Sequence, residues 1–185
     1  MIATRTTSDL LTGATVESIH RFGLAETTVT RVTDIAGVSR GMVRHVFGSK
    51  HEMLVATMAS LVEEWTLATE PDDTLAPPDQ VRSIVRAMFA VDVFTDARVD
   101  AWLAFTSAAS SNDDLARLCQ HAYAAWTGQL ERSFAASGVQ QPRLAAQGML
   151  AAGDGLWLRH RLEPKLMTRE TSEAAALAVA EALLR

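Results

Sequence analysis

The segment Thr27–Leu54, TTVTRVTDIAGVSRGMVRHVFGSKHEML, constrains this chain more than any other stretch. It joins two short helical patterns through Ala36-Gly37-Val38-Ser39, and each residue of that turn has a task. Ala36 lets two helices approach closely, and Gly37 can take the left-handed conformation that ends the first of them. Val38 supplies an apolar anchor, and Ser39 is placed to cap the next helix by accepting a backbone N–H. The following helix opens Arg40-Gly41-Met42-Val43-Arg44-His45, a run of small, cationic and hydrogen-bonding side chains. Two helices joined in this way form a helix-turn-helix, whose second helix enters the major groove of DNA.

The helix before the turn has to be argued for. Thr28 to Ala36 alternates like a strand at its start, and its β-branched residues favour that conformation. Against this, Val29, Val32, Thr33 and Ala36 recur at i, i+3, i+4 and i+7, and Thr27 or Thr28 can serve as N-cap. The helical period decides the reading.

The same period runs through the rest of the chain. Ser8 to about Phe22 carries an apolar stripe of Leu11, Ala14, Thr15, Ile19 and Phe22, ended by Gly23. Ser49-Lys50-His51-Glu52 is a capping box opening a helix striped by Leu54, Met58, Leu61 and Trp65. The stretch from Glu70-Pro71-Asp72-Asp73 to Pro77-Pro78 reads as a loop. Val81, Ile84, Val85, Met88 and Phe89 mark the next helix, and further helices run roughly over 98–109, 113–136, 144–161 and 170–184. The expected fold is all-α with about nine helices: a three-helix head over residues 1–50 and a helical domain over 51–185.

Charge distinguishes the two parts. The chain carries −5 overall, yet residues 1–50 hold six basic and four acidic side chains, a balance of +2, while the remainder is at −7. A mildly positive head on an acidic body suits a protein that presents one end to phosphate. The single cysteine, Cys119, rules out an intramolecular disulfide and a zinc-finger framework. The first residues lack the apolar run of a signal peptide, and no apolar stretch is long enough to span a bilayer, so a cytoplasmic protein without a membrane partner is expected.

The helix ending in Phe22-Gly23, then Thr28, Ala36-Gly37-Val38-Ser39, Gly41, Phe47 and Ser49-Lys50, resembles the TetR family of one-component bacterial regulators. A narrower likeness is to its BetI-type subgroup. That likeness is carried by His45-Val46-Phe47-Gly48-Ser49-Lys50, Thr57-Met58, Trp102-Leu103-Ala104-Phe105 and Asp154-Gly155-Leu156-Trp157-Leu158-Arg159. The resemblance implies a homodimeric repressor of double-stranded operator DNA, released when a small molecule enters the C-terminal domain. For the BetI type it implies choline or a related amine as effector, and an interface on the last two helices. Two positions depart from the family pattern: Val46 stands where a phosphate-contacting Tyr is usual, and Thr33 stands where a closely packed Ala is usual.

Lys50 sits at a helix start, where the dipole favours an anion, so a cation there fits a docked phosphate. Ser39, Arg40, Gly41 and Met42 lead into or open the recognition helix, whose N-terminal residues reach base edges. Arg44 follows on the same helix, and His45 reads equally as a phosphate contact or a packed imidazole. Thr28 and Thr30 can meet phosphate through hydroxyls at a helix N-terminus, and capping is compatible with that role. Trp102, Phe105, Trp126 and Trp157 are candidates for an aromatic effector pocket, with Asp92, Asp100 and Asp154 as counter-charges. Aromatics at helical spacing also serve as plain core.

Other chemistries have little support. A di-iron carboxylate bundle needs two Glu-x-x-His motifs on facing helices, and Glu17-Ser18-Ile19-His20 is the one match. Gly153-Asp154-Gly155 lacks the third glycine and the preceding strand of a dinucleotide site. No catalytic set, metal or cofactor is expected. The competing reading is an all-α ligand-binding or scaffolding dimer that regulates no promoter.

Overall fold

The computed structural model describes residues 6–185. Arg5, one of the six basic side chains counted over residues 1–50, lies outside the described residues, as does the N-terminal stretch on which the expectation of no signal peptide rests. Among the described residues there are nine α-helices and no strand: α1 (Thr7–Phe22), α2 (Val29–Ala36), α3 (Gly41–Phe47), α4 (Lys50–Ala68), α5 (Pro77–Ala87), α6 (Asp96–Ala108), α7 (Asp113–Ala136), α8 (Pro142–Leu162) and α9 (Arg169–Leu183). A short 3-10 turn, Ala109–Ser111, separates α6 from α7. The chain divides into two compact units that interleave in sequence. The first takes the residues up to Val62 with Asp96–Cys119, and the second takes Glu63–Thr95 with Gln120–Arg185.

In the first unit, four helices contribute to one small core: Leu11 and Ala14 from α1, Val32 from α2, Val43 from α3 and Met53 from α4. Burying a side chain of this size stabilises by about 1.5–3 kcal/mol, so the cluster fixes the short helices α2 and α3 although neither is long enough to persist alone. Thr6 and Asp9 cap α1 reciprocally, so that the helix starts at Thr7, one residue before the expected Ser8. α1 packs on α2, α3 and α6, and Val99, Ala101, Trp102 and Phe105 of α6 are buried. Phe22, expected in the α1 stripe, is instead 44% exposed, with the Arg31 guanidinium 4.6 Å over its ring. Ser18 takes the inward place in its stead.

In the second unit, α5 turns Val81, Ile84 and Val85 inward, and α9 packs on both α5 and α8. Ala176 and Ala180 keep α9 close. Arg82 of α5 donates to both carboxylate oxygens of Glu181 on α9, at 2.6 and 3.0 Å. Pro77 and Pro78 do not extend the loop as expected. They open α5, where a missing N–H costs nothing and the fixed φ is already helical.

Candidate functional site

The turn between α2 and α3 is built by backbone hydrogen bonds. Thr28 caps α2 by accepting the Arg31 N–H at 3.3 Å. Gly37 ends the helix in the left-handed region at φ 67 and ψ 31, and the Val38 N–H donates to the Thr33 carbonyl at 3.1 Å. Ser39 departs from expectation. Its backbone carbonyl, not its hydroxyl, accepts from the Met42 N–H, at 3.0 Å, and Arg40 stands at the N-cap with no side-chain cap. The Ser39 hydroxyl is therefore not spent on the helix start.

Around this turn the candidate DNA residues separate by exposure. Thr28, Ser39, Arg40, Gly41, Arg44 and His45 are exposed, and Thr30 and Lys50 are half-buried. Exposure removes the packed-imidazole alternative for His45. Met42 is half-buried against the core, as are Val46 and Phe47. Val46 thus fills apolar space where the family pattern has a phenol. Thr33, fully buried, satisfies its hydroxyl by donating to the Val29 and Thr30 carbonyls at 2.9 and 3.1 Å, which explains how it replaces Ala without an orphaned polar group.

Gly48 makes the exit from α3. Its φ is +90, and a Cβ there would lie 2.5 Å from a Glu52 carboxylate oxygen. That tight bend sets Ser49 to accept the Glu52 N–H at 3.1 Å and start α4 at Lys50. Two imidazole–carboxylate pairs brace the unit: His20 of α1 to Asp100 of α6 at 2.7 Å, and His51 of α4 to Asp114 of α7 at 2.6 Å. The His51 hydrogen bond, helped by the Arg117 charge, holds the Asp114 carboxyl below its ordinary range against an opposing desolvation. Glu17 and His20, the single Glu-x-x-His match, are engaged elsewhere, Glu17 with Arg21 at 2.5 Å.

The aromatic residues fall in two places. Trp102 and Phe105 are buried in α6, in the first unit, and Asp100 beside them is the partner of His20. Trp126 and Trp157 belong to the second unit, and Trp65 of α4 lies against both, with ring centroids at 6.1 Å from Trp126 and 4.7 Å from Trp157. Tyr123 meets Trp126 at 5.7 Å, and its hydroxyl donates to the Asp154 carboxylate at 2.7 Å. One turn of α7 therefore presents Tyr123 and Trp126 while one turn of α8 presents Asp154 and Trp157. The i, i+3 spacing of both pairs is the signal that would have added Tyr123 to the sequence-derived set. Asp92 is exposed on the loop after α5. Cys119 is half-buried.

A left-handed glycine turn that holds a short, exposed, cationic second helix defines a helix-turn-helix protein. The model for bacterial regulatory proteins of the tetR family matches residues 11–57, and that for the C-terminal part of BetI-type transcriptional repressors matches residues 77–185. The HTH-type transcriptional regulator BetI of Stenotrophomonas maltophilia (strain R551-3) is 34% identical over 170 residues, covering 88% of this chain and 85% of the relative. A transcriptional regulator from Rhodococcus sp. Rha1 has the same fold, with a TM-score of 0.85 at 24% identity over 97% of this chain and 96% of its own. A regulator from Saccharomonospora viridis, solved in complex with choline, superposes with a TM-score of 0.80 at 16% identity, over 94% of this chain and 95% of that one. The chain belongs to the TetR family of DNA-binding transcriptional regulators, and its C-terminal part is of the BetI repressor type. No helix among the described residues is long and apolar enough to cross a membrane.

Proposed function

We propose that the chain works in the cytoplasm as a homodimeric repressor, whose residues 1–50 hold operator DNA and whose residues 51–185 bind a small organic cation and pair the protomers. The observation that carries the DNA assignment is the exposed start of α3: Arg40, Gly41 and Arg44 stand clear of the core that fixes the helix. In this reading Arg40, Gly41 and the rim of Met42 meet base edges. Thr28, Thr30, Ser39, Arg44, His45 and Lys50 meet phosphate and set the register. The absence of a phenol at Val46 removes one sequence-independent contact and leaves base reading to the other residues.

Pairing has its own support. One face of α8 is exposed through Leu144, Gly148, Ala151, Gly155, Leu158 and Leu162, and nothing stands over Gly148 or Gly155. Small residues between leucines admit the backbone of another helix at close range. Ala174, Ala178 and Ala182 extend an exposed apolar face along α9. Of Leu150, Trp157, Leu177, Leu183 and Leu184, the apolar positions that the resemblance would assign to such an interface, Leu150 and Trp157 are buried within the protomer instead.

The effector site we propose lies in the second unit and comprises Trp65, Tyr123, Trp126, Asp154 and Trp157. Aromatic faces beside a carboxylate suit a quaternary ammonium, and the choline-bound regulator of the same fold supports that class. Trp102 and Phe105 then serve the packing of the first unit. A single uninterrupted helix, α4, contains both Lys50 and Trp65 and is the natural carrier of the signal. Selection of bound duplexes from a random pool, followed by footprinting, tests the reading. A dyad-symmetric site with two half-sites is expected, and binding without sequence preference would leave the non-regulatory ligand-binding dimer as the better account.

A further inference from the structure

Trp157 carries a donor that the protein does not use. Its side chain is 6% exposed, and its Nε1–H has no hydrogen-bond partner among the described residues. Two neighbouring donors at this site are committed. Trp126 Nε1–H donates to the Thr66 hydroxyl at 2.9 Å, and the Tyr123 hydroxyl donates to Asp154 at 2.7 Å.

The ring cannot easily turn its N–H elsewhere. It stands edge-on to Trp65 at 4.7 Å and 90°, and edge-on to Phe94 at 5.5 Å and 78°. Neither neighbour offers a strong acceptor. A buried N–H left in this state is a cost to the free protein, and a ligand that supplies the missing acceptor removes it.

Resting on the effector reading above, we propose that the effector carries, beside its cationic head, a hydrogen-bond acceptor that Trp157 Nε1–H recognises. Asp154 and Trp157 are one helical turn apart on α8, so the charge and the acceptor of a single small molecule are read from one face. The cationic head lies by Asp154, Tyr123 and Trp126, and the acceptor is two or three bonds away, toward Trp157. Charge and apolar bulk give affinity, and the indole N–H gives selection between cations of equal size. A pocket built to donate a hydrogen bond rejects an analogue lacking the acceptor more strongly than an apolar pocket rejects a change of one methylene.

Choline and n-propyltrimethylammonium test this directly, because they have the same size and charge and differ by hydroxyl against methyl. Titration calorimetry on the full-length protein should give choline about a tenfold advantage, equivalent to ~1.4 kcal/mol. Trp157→Phe keeps an aromatic ring and loses the N–H. It should abolish the advantage while still binding n-propyltrimethylammonium. Trp126→Phe, whose donor serves Thr66, should weaken both cations and preserve their ratio. An undiminished choline preference in Trp157→Phe overturns the proposal and leaves the effector reading intact. Failure of both cations to bind wild-type protein that still holds its operator overturns the effector reading, and this proposal with it. Should Trp157→Phe not fold, the indole N–H resonance of Trp157 in the wild type decides the matter. Choline should move it downfield and n-propyltrimethylammonium should not, and equal response to the two overturns the proposal.

Discussion

The DNA-facing end and the aromatic cluster are specified in different ways. The helix-turn-helix lies within one short segment, and its geometry is set by local backbone chemistry: a Thr28 cap, a left-handed Gly37 and a bend at Gly48. The aromatic cluster draws Trp65 from α4, Tyr123 and Trp126 from α7, and Asp154 and Trp157 from α8, and no local rule brings them together. A site written in turn chemistry tolerates change in the residues around it and fails when the turn fails. A site assembled from three helices depends on the packing of each. On the proposed function this also separates the roles: the local site would read a fixed polymer, and the assembled one could be retuned to a new small molecule by altering one side chain.

The largest effect is expected where both sites depend on a common element. Leu158→Glu with Leu162→Glu places charge on an α8 face that is 45% and 70% exposed at these positions. The double variant should fold, sediment as a monomer and lose operator binding. A folded monomer that keeps full operator affinity would separate the DNA site from the α8 face entirely.

Next comes the base-reading end. Arg40→Ala should cost about 1–3 kcal/mol on the operator and relax base preference there. Lys50→Ala should weaken specific and random duplexes alike and lower the salt slope by about 0.9. Anisotropy titrations at several salt concentrations distinguish the two, and equal behaviour of both variants would show that α3 and the start of α4 do not divide the labour.

Gly37→Ala tests the local half of the comparison. Its φ of 67 is strained for a residue with a Cβ, although nothing lies within 4 Å to block one. The expected loss is about 1–2 kcal/mol from the backbone alone. Chemical denaturation should show it in full, while cation binding to folded protein stays unchanged.

The smallest effect concerns the second unit. Hydrogen bonds from Arg82 hold the Glu181 carboxyl below its ordinary range. The stabilisation this gives is fully present above the ordinary glutamate pKa of about 4.3 and is lost as pH falls through the lower folded value. Glu181→Gln should therefore lower Tm slightly at pH 7 and not at all near pH 2. A pH-independent difference would assign the effect to packing.

Legibility in the sequence followed the same division. Gly37, an α2 N-cap at Thr27 or Thr28 and the start of α4 at Ser49 could be read because each is fixed by residues within a few positions, and the structure selects Thr28. The capping role of Ser39 failed, since the turn satisfies Met42 through a carbonyl that every residue carries. Phe22, read as part of the α1 stripe, and Leu150, an apolar position of α8, depart in opposite directions: the first is exposed and the second is buried within the protomer. Periodicity names a helix face but not whether a cation will cover an exposed ring, nor which of several leucines points into the protomer. The four aromatics expected in one pocket are divided, Trp126 and Trp157 in one unit and Trp102 and Phe105 in the other, a partition decided by long-range packing of α6 against α1.

The central claim is that one chain holds an operator at its N-terminal end and releases it when a cation binds among Trp65, Trp126 and Trp157. The direct measurement is operator affinity of the dimer, by fluorescence anisotropy, across a choline titration followed to saturation by calorimetry on the same sample. The account predicts affinity falling toward a plateau up to about a hundredfold lower, a coupling of ~2.7 kcal/mol, with half-effect at the choline concentration that half-saturates the protein. Superimposable operator isotherms with and without saturating choline, while calorimetry shows the site filled, would contradict it.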